Sequence, residues 1–131
     1  MTDRSRFQSN APRLLLAALA AAVCGCSSGA GHSVDPDAAR VALKTTLDAW
    51  KEGKTPESLQ AGSPAIVAQD MEWSAGAKLL DYAVVTDKPA DANLDARVTL
   101  KVSAKGKTRT RDARYLVTTS PSVTVFRDMM N

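Results

Sequence analysis

The chain is short of the residues from which most enzymes and metal sites are made: among 131 residues there are one histidine and two cysteines. His32 stands in Ser27-Ser28-Gly29-Ala30-Gly31-His32-Ser33-Val34, a small, polar stretch without apolar periodicity. A general base there would have no fixed geometry. Proton transfer needs partners held at hydrogen-bonding distance, so His–Asp and Ser–His–Asp catalysis are not expected. Cys24 and Cys26 both precede the part that reads as folded. No Cys/His cluster remains for zinc, and no disulfide can brace the fold. A Gly-rich phosphate loop is missing, as are the oxygen ligands at fixed offsets that calcium needs. Neither a metal nor a cofactor is therefore expected. Carboxylates such as Asp91 and Asp95 fall in a polar stretch and read as solvated loop acids.

Long apolar runs are also scarce. Residues 14–23, Leu-Leu-Leu-Ala-Ala-Leu-Ala-Ala-Ala-Val, come after Arg4, Arg6 and Arg13. Ten helical residues span about half of a bilayer core, too little for a permanent transmembrane helix. A basic start, a short apolar run and then small residues is the layout of a secretory signal. At the end of the apolar run, Val23-Cys24-Gly25-Cys26-Ser27 resembles the bacterial lipobox read by the lipoprotein signal peptidase. Gly25 supplies the small residue before the modified cysteine and Val23 the aliphatic residue three before it. Cys24 at the middle position is unusual for that motif. The resemblance implies a signal over residues 1–25, lipid attachment at Cys26, and membrane association through that lipid. A Cys24–Cys26 disulfide is the rival reading, but one intervening residue closes a strained ring. Ser27, rather than Asp, after the anchor implies sorting to the outer membrane, on its periplasmic side.

Removal of residues 1–25 would leave 106 residues and a net charge near +1, against +3 for the whole chain. Global charge then gives no argument for nucleic acid as a partner. Residues 26–35 read as a flexible tether, and 36–131 as one domain large enough to bury a core.

Asp35-Pro36 signals a helix start, since Asp accepts bonds from first-turn amides and Pro lacks only a donor that is idle there. Ala39, Leu43, Leu47 with Thr46, and Trp50 recur at helical spacing, and Gly53 supplies a stop, predicting a helix over 36–52. Thr55-Pro56-Glu57 predicts a second, short helix near 56–61. Residues 65–70 fit no single type, and Asp70 reads as the cap of one further turn through Trp73, closed by Gly76. Beyond 79 the period becomes two. Strands are expected over 79–85, 96–104, 108–119 and 122–127, with a polar break at 89–93 and a hairpin turn at Lys105-Gly106-Lys107. The expected fold class is α+β: a long N-terminal helix and a short one packed on a four-stranded antiparallel sheet with one solvated face.

Asp70-x-x-Trp73-x-x-Gly76-x-x-Leu79-x-x-Tyr82, the alternating hairpin, and Tyr115-x-Val117-x-x-x-Pro121-x-Val123 together resemble small uncharacterised bacterial lipoproteins. Their domain is similar to the cystatin-like or nuclear-transport-factor-2-like fold. The resemblance covers residues 36–127. It implies a sheet curved around a helix, with a conical pocket in the longer members. Shared fold does not carry function across that superfamily, which holds enzymes, binding modules and scaffolds.

Two features are candidates for contact. Residues 97–114 hold Arg97, Lys101, Lys105, Lys107, Arg109, Arg111 and Arg114 against Asp112. Lys105, Lys107, Arg109 and Arg111 are the candidate contact for an anionic polymer, lipid headgroups or an acidic envelope partner; the alternative is a solvated edge whose charges deter strand pairing. No aromatics interleave with these cations, which argues against single-stranded nucleic acid. Parity conflicts within the hairpin: Arg109 and Arg111 share a face with Tyr115 and Val117, so a bulge near Gly106 or Asp112 is expected, with both arginines at an exposed tip. Trp73, Tyr82 and Tyr115 are the candidate lining of a pocket between helix and sheet, against the alternative of plain core packing. A non-catalytic, lipid-anchored binding or scaffolding module is the preferred function. A small-ligand carrier or pocket enzyme is the alternative.

Overall fold

The computed structural model describes residues 32–130, so Cys26 and the segment 26–31 lie outside the described residues. The described chain enters the fold at Val34, which is buried and donates its amide to the Asp91 carbonyl at 2.9 Å. Helix α1, Pro36–Lys51, then starts where the sequence signals it: Asp35 Oδ1 accepts from the amides of Asp37 and Ala38, both at 3.1 Å. Its buried stripe is Ala39, Ala42, Leu43, Thr46, Leu47 and Trp50. Thr46 satisfies its hydroxyl within the helix by donating to the Ala42 carbonyl. After Glu52, Gly53 takes a φ of +81°, the left-handed conformation open to glycine at no steric cost.

A 3-10 helix, Pro56–Ala61, buries Pro56 and Leu59. Strand β1, Ile66–Gln69, and the single turn α2, Met71–Ser74, come next. Asp70 Oδ1 caps α2 as expected, accepting from the amides of Glu72 and Trp73. Three long strands, β2 (Lys78–Ala90), β3 (Asn93–Ala104) and β4 (Lys107–Thr118), then form two consecutive hairpins, and β5 (Val123–Asp128) ends the fold.

The α+β class holds, but the sheet has five strands in the order β1-β5-β4-β3-β2 and is mixed. The expected four-stranded antiparallel sheet lacks β1, which pairs in parallel with β5 from Ile66↔Val123 to Gln69↔Phe126. Four residues are too few to show a period, and their partner lies at the far end of the chain. The supposed break at 89–93 is instead a two-residue turn, Asp91-Ala92, and Pro89 lies inside β2. Proline is tolerated there because β2 is an edge strand with one row of unpaired donors. Asp95, expected as a loop acid, is on β3 and bonded to Arg114 at 2.6 Å.

Between β3 and β4 the register runs unbroken from Leu94↔Val117 to Ala104↔Lys107. The bulge expected near Gly106 or Asp112 is therefore not there. Lys105 and Gly106, with φ of 52° and 75°, form the turn that keeps the two strands in step. Shifts of register occur instead between β2 and β3, at Leu79/Asp81 and Val84/Thr86.

Helix α1 crosses one face of this sheet. Leu94, Ala96, Val98, Leu100 and Val102 on β3 and Ala113, Tyr115 and Val117 on β4 bury against it. The opposite face is solvated, and Arg114 stitches it together by bonding Asp95 on β3 and Asp128 on β5.

Candidate binding groove

Helix α1 carries a second stripe beside its core stripe. Asp37 and Ala38, then Val41 and Ala42, then Thr45 recur at three- and four-residue spacing and so share one face. That face forms one wall of an open groove of about 700 Å³. The opposite wall is Ser58 and Leu59 of the 3-10 helix with the turn Gly62-Ser63-Pro64. The floor is Ile66 and Val123, the first residue pair of the parallel β1–β5 ladder. Val41 is 65% exposed on this wall, a large aliphatic side chain with nothing over it among the described residues. The only charged lining residues are Asp37 and Lys54. Three hydroxyls, of Thr45, Ser58 and Ser63, are the other side-chain polar groups in the lining. Such a surface offers mostly apolar area and a few hydrogen bonds. Its volume is that of ordinary ligand sites, about 300–1,000 Å³.

The aromatic residues expected to line a pocket do not come together around one. Trp73 stacks on Trp50 at 5.6 Å and donates its indole N–H to the Lys54 carbonyl at 2.9 Å. Tyr115, 1% exposed, donates its hydroxyl to Asp70 Oδ2 at 2.6 Å. The space that Trp73 and Tyr115 share leaves no room for a water molecule. Tyr82 is apart from both, half-buried on β2, and donates to Asp48 Oδ1 of α1 at 2.6 Å. All three have their polar ends tied, and Trp73 also lines an open cleft of about 400 Å³, with Trp50, Lys54 and Pro56. Burial and the neighbouring carboxylates push both phenols well above the ordinary tyrosine value. Hydrogen bonds from Lys44 and Tyr82 hold Asp48 below the ordinary carboxylate range.

Beneath α2 lies a buried ion cluster that the sequence pattern had not singled out. Arg127 and Asp70 are both about 5% exposed and 3.4 Å apart. Arg127 also bonds Glu72 at 2.7 Å, and Glu72 takes a further bond from Arg111 at 3.1 Å. The signal was present in the alternation, since Arg127 shares parity with Val123 and Val125 on the core face, where a cation needs an acid partner. The Asp70 carboxylate is fully engaged: two amides on Oδ1, a phenol on Oδ2, and Arg127 across both. The cluster ties β4 and β5 to the β1–α2 corner and leaves no carboxylate oxygen of Asp70 free for chemistry.

The basic hairpin is less of a ridge than its composition implies. Arg97 and Lys101 face the solvated side, while Lys107, Arg109 and Arg111 share parity with Tyr115 on the helix side. Arg109 and Arg111 are exposed, as expected, although Val102 and Leu100 opposite them stay buried. The covered area therefore ends diagonally, on β4 before β3. Arg111 is tied to Glu72 and is not available as a free cation. Lys105, Lys107 and Arg109 make no ion pair among the described residues.

His32 is exposed at the start of the described chain. Among the described residues no group of three or more His, Cys, Asp or Glu is placed to hold a metal ion, and no helix is long and apolar enough to cross a membrane. No protein-family model, no curated protein and no solved structure matches the chain.

Proposed function

We propose that the chain is a bacterial lipoprotein, anchored through Cys26, whose domain is a non-catalytic binding module of the cell envelope using the groove beside α1. The groove carries this reading. An apolar cleft of about 700 Å³ with charges only at Asp37 and Lys54 supports uptake of apolar matter. The basic start, the short apolar run and Val23-Cys24-Gly25-Cys26 support export and lipidation, and Ser27 supports the outer membrane. A single helix laid across a largely antiparallel sheet supports a relation to cystatin-like or nuclear-transport-factor-2-like domains.

Among the described residues the core runs from Val34 to Val125, so the unlipidated chain lacking its first 25 residues is expected to fold and can be tested directly. Titrated with a solvatochromic apolar dye, it should bind one equivalent. Val41→Lys, at an exposed position, should weaken that binding about tenfold or more without lowering the melting temperature. Unchanged dye affinity in Val41→Lys contradicts the groove as the binding surface.

A second reading belongs to Lys105, Lys107 and Arg109, three neighbouring cations without acid partners among the described residues, which favour weak contact with an anionic surface.

A further inference from the structure

The lining of the groove begins close in sequence to the start of the described chain. Asp37 and Ala38, its first lining residues, stand on the first turn of α1, and the two residues before that helix are pinned. Val34 donates its amide to the Asp91 carbonyl, and Asp35 donates its own to Thr119 Oγ1, each at 2.9 Å. The described chain thus begins, at residue 32, only five residues before Asp37, the first residue of the groove lining.

We propose that the occupant of the groove is an acyl chain of the lipid on Cys26 of the same molecule; the inference rests on the lipid-anchor reading above. Reach permits it. The eight residue steps from Cys26 to Val34 span at most about 26–29 Å when extended. The helical wall from Asp37 to Thr45 is about 12 Å long. The lipid can therefore be brought to either end of the cleft without disturbing the fold. The lining suits it as well. Ala38, Val41, Ala42, Leu59, Ile66 and Val123 offer methyl and methylene groups, and the charges of Asp37 and Lys54 offer nothing that a hydrocarbon chain would bind. An acyl chain needs no hydrogen-bond partner, which suits a lining whose side-chain polar groups are two charges and three hydroxyls.

A tether this short also holds the lipid near the groove at an effective concentration on the order of millimolar. The domain is thereby drawn down onto its own anchor, with the face of α1 that carries Val41 turned toward the lipid. A partner that takes the groove would return the acyl chain to the bilayer.

The test uses the processed, envelope-extracted protein with its lipid, placed in nanodiscs of fully deuterated phospholipid. The protein's own acyl chains are then the only protonated ones. Mass spectrometry first establishes the acyl group on Cys26. Nuclear Overhauser contacts are then expected from the methyls of Val41, Ile66 and Val123 to acyl methylenes. They should vanish completely in Val41→Lys and in the unlipidated chain lacking its first 25 residues. If the mass shows no acyl group, the anchor reading fails and takes this inference with it. An acylated protein without such contacts overturns the inference alone and leaves the anchor standing. Contacts that arise only when the bilayer lipid is protonated also overturn it, by assigning the groove to a membrane lipid.

Discussion

Trp50 and Trp73 stack with ring centroids 5.6 Å apart and planes at 15°, and each indole N–H is used on a backbone carbonyl, of Ala77 and Lys54 respectively. The pair locks the end of α1, the turn after Gly53, and the α2–β2 corner into one unit. Trp73→Ala should cost about 3–5 kcal/mol, from lost burial and a cavity beside Trp50. Trp73→Phe should retain much of the packing and cost less. Chemical denaturation followed by circular dichroism separates the two, and equal losses would mean that the hydrogen bond to Lys54 outweighs the ring contact.

The helix face is tested more simply. Leu47 is 1% exposed against the sheet, whereas Lys44 points to solvent and makes only an exposed ion pair with Asp48. Leu47→Ala should cost about 2–5 kcal/mol. Lys44→Ala should cost no more than a few tenths, as exposed pairs do. Similar midpoints in urea for the two variants would contradict the assigned face.

Helix α1 and strand β3 were legible because each repeats its own period over ten residues or more, and the helix also signals both ends. Strand β1 was not. Its four residues carry no period, and its partner Val123 lies beyond three intervening strands. Parity did show that Arg109 and Arg111 clash with Tyr115 and Val117. Two resolutions exist for such a clash, a change of register or a gap in coverage, and the sequence does not choose. Rigid pairing through the Lys105-Gly106 turn keeps the register, so the gap prevails. The groove was the least visible feature because one wall, the other wall and the floor come from three separate segments. Val41 was its only local sign, an aliphatic residue set among Arg40, Lys44 and Asp48 outside the core stripe.

Both tyrosines of the chain should resist ionisation. Tyr82 and Tyr115 have values raised in the folded state, first by burial and then by Asp48 and Asp70. A group raised on folding contributes stability in full below its unfolded value, near 10, and loses it as pH rises beyond that. Native protein should show no phenolate absorbance until it unfolds, and both phenols should then titrate together. Early appearance of half the signal would identify Tyr82 as freer than its bond to Asp48 implies.

On the acid side the sign reverses. Asp48 is lowered by hydrogen bonds from Lys44 and Tyr82, and Asp95 by the hydrogen bond from Arg114. Their contribution is present above the ordinary carboxylate value of 3.8 and is lost as pH falls below it. Thermal midpoints should be flat down to about pH 4–5 and fall beneath that. Arg114→Ala should flatten the fall and lower the neutral-pH midpoint, since it removes the hydrogen bond that lowers Asp95.

At the hairpin tip, joint replacement of Lys105, Lys107 and Arg109 by Ser should leave the melting temperature unchanged. Any binding to anionic vesicles at low salt should drop, because exposed charges act over about 30 Å at about 0.01 M ionic strength, against about 8 Å in physiological buffer. Arg111→Ser should differ by lowering stability slightly, as it strips one bond from Glu72. If the unmodified domain sediments with no anionic vesicle at low salt, the tip is a solvated edge.

The intact mass of the protein extracted from its native membrane tests the central claim most directly. The account predicts a chain that begins at Cys26 and carries acyl mass on that residue, with Cys26→Ala accumulating as precursor and Cys24→Ala processed normally. A mature protein whose unmodified N-terminus lies upstream or downstream of Cys26 would contradict it.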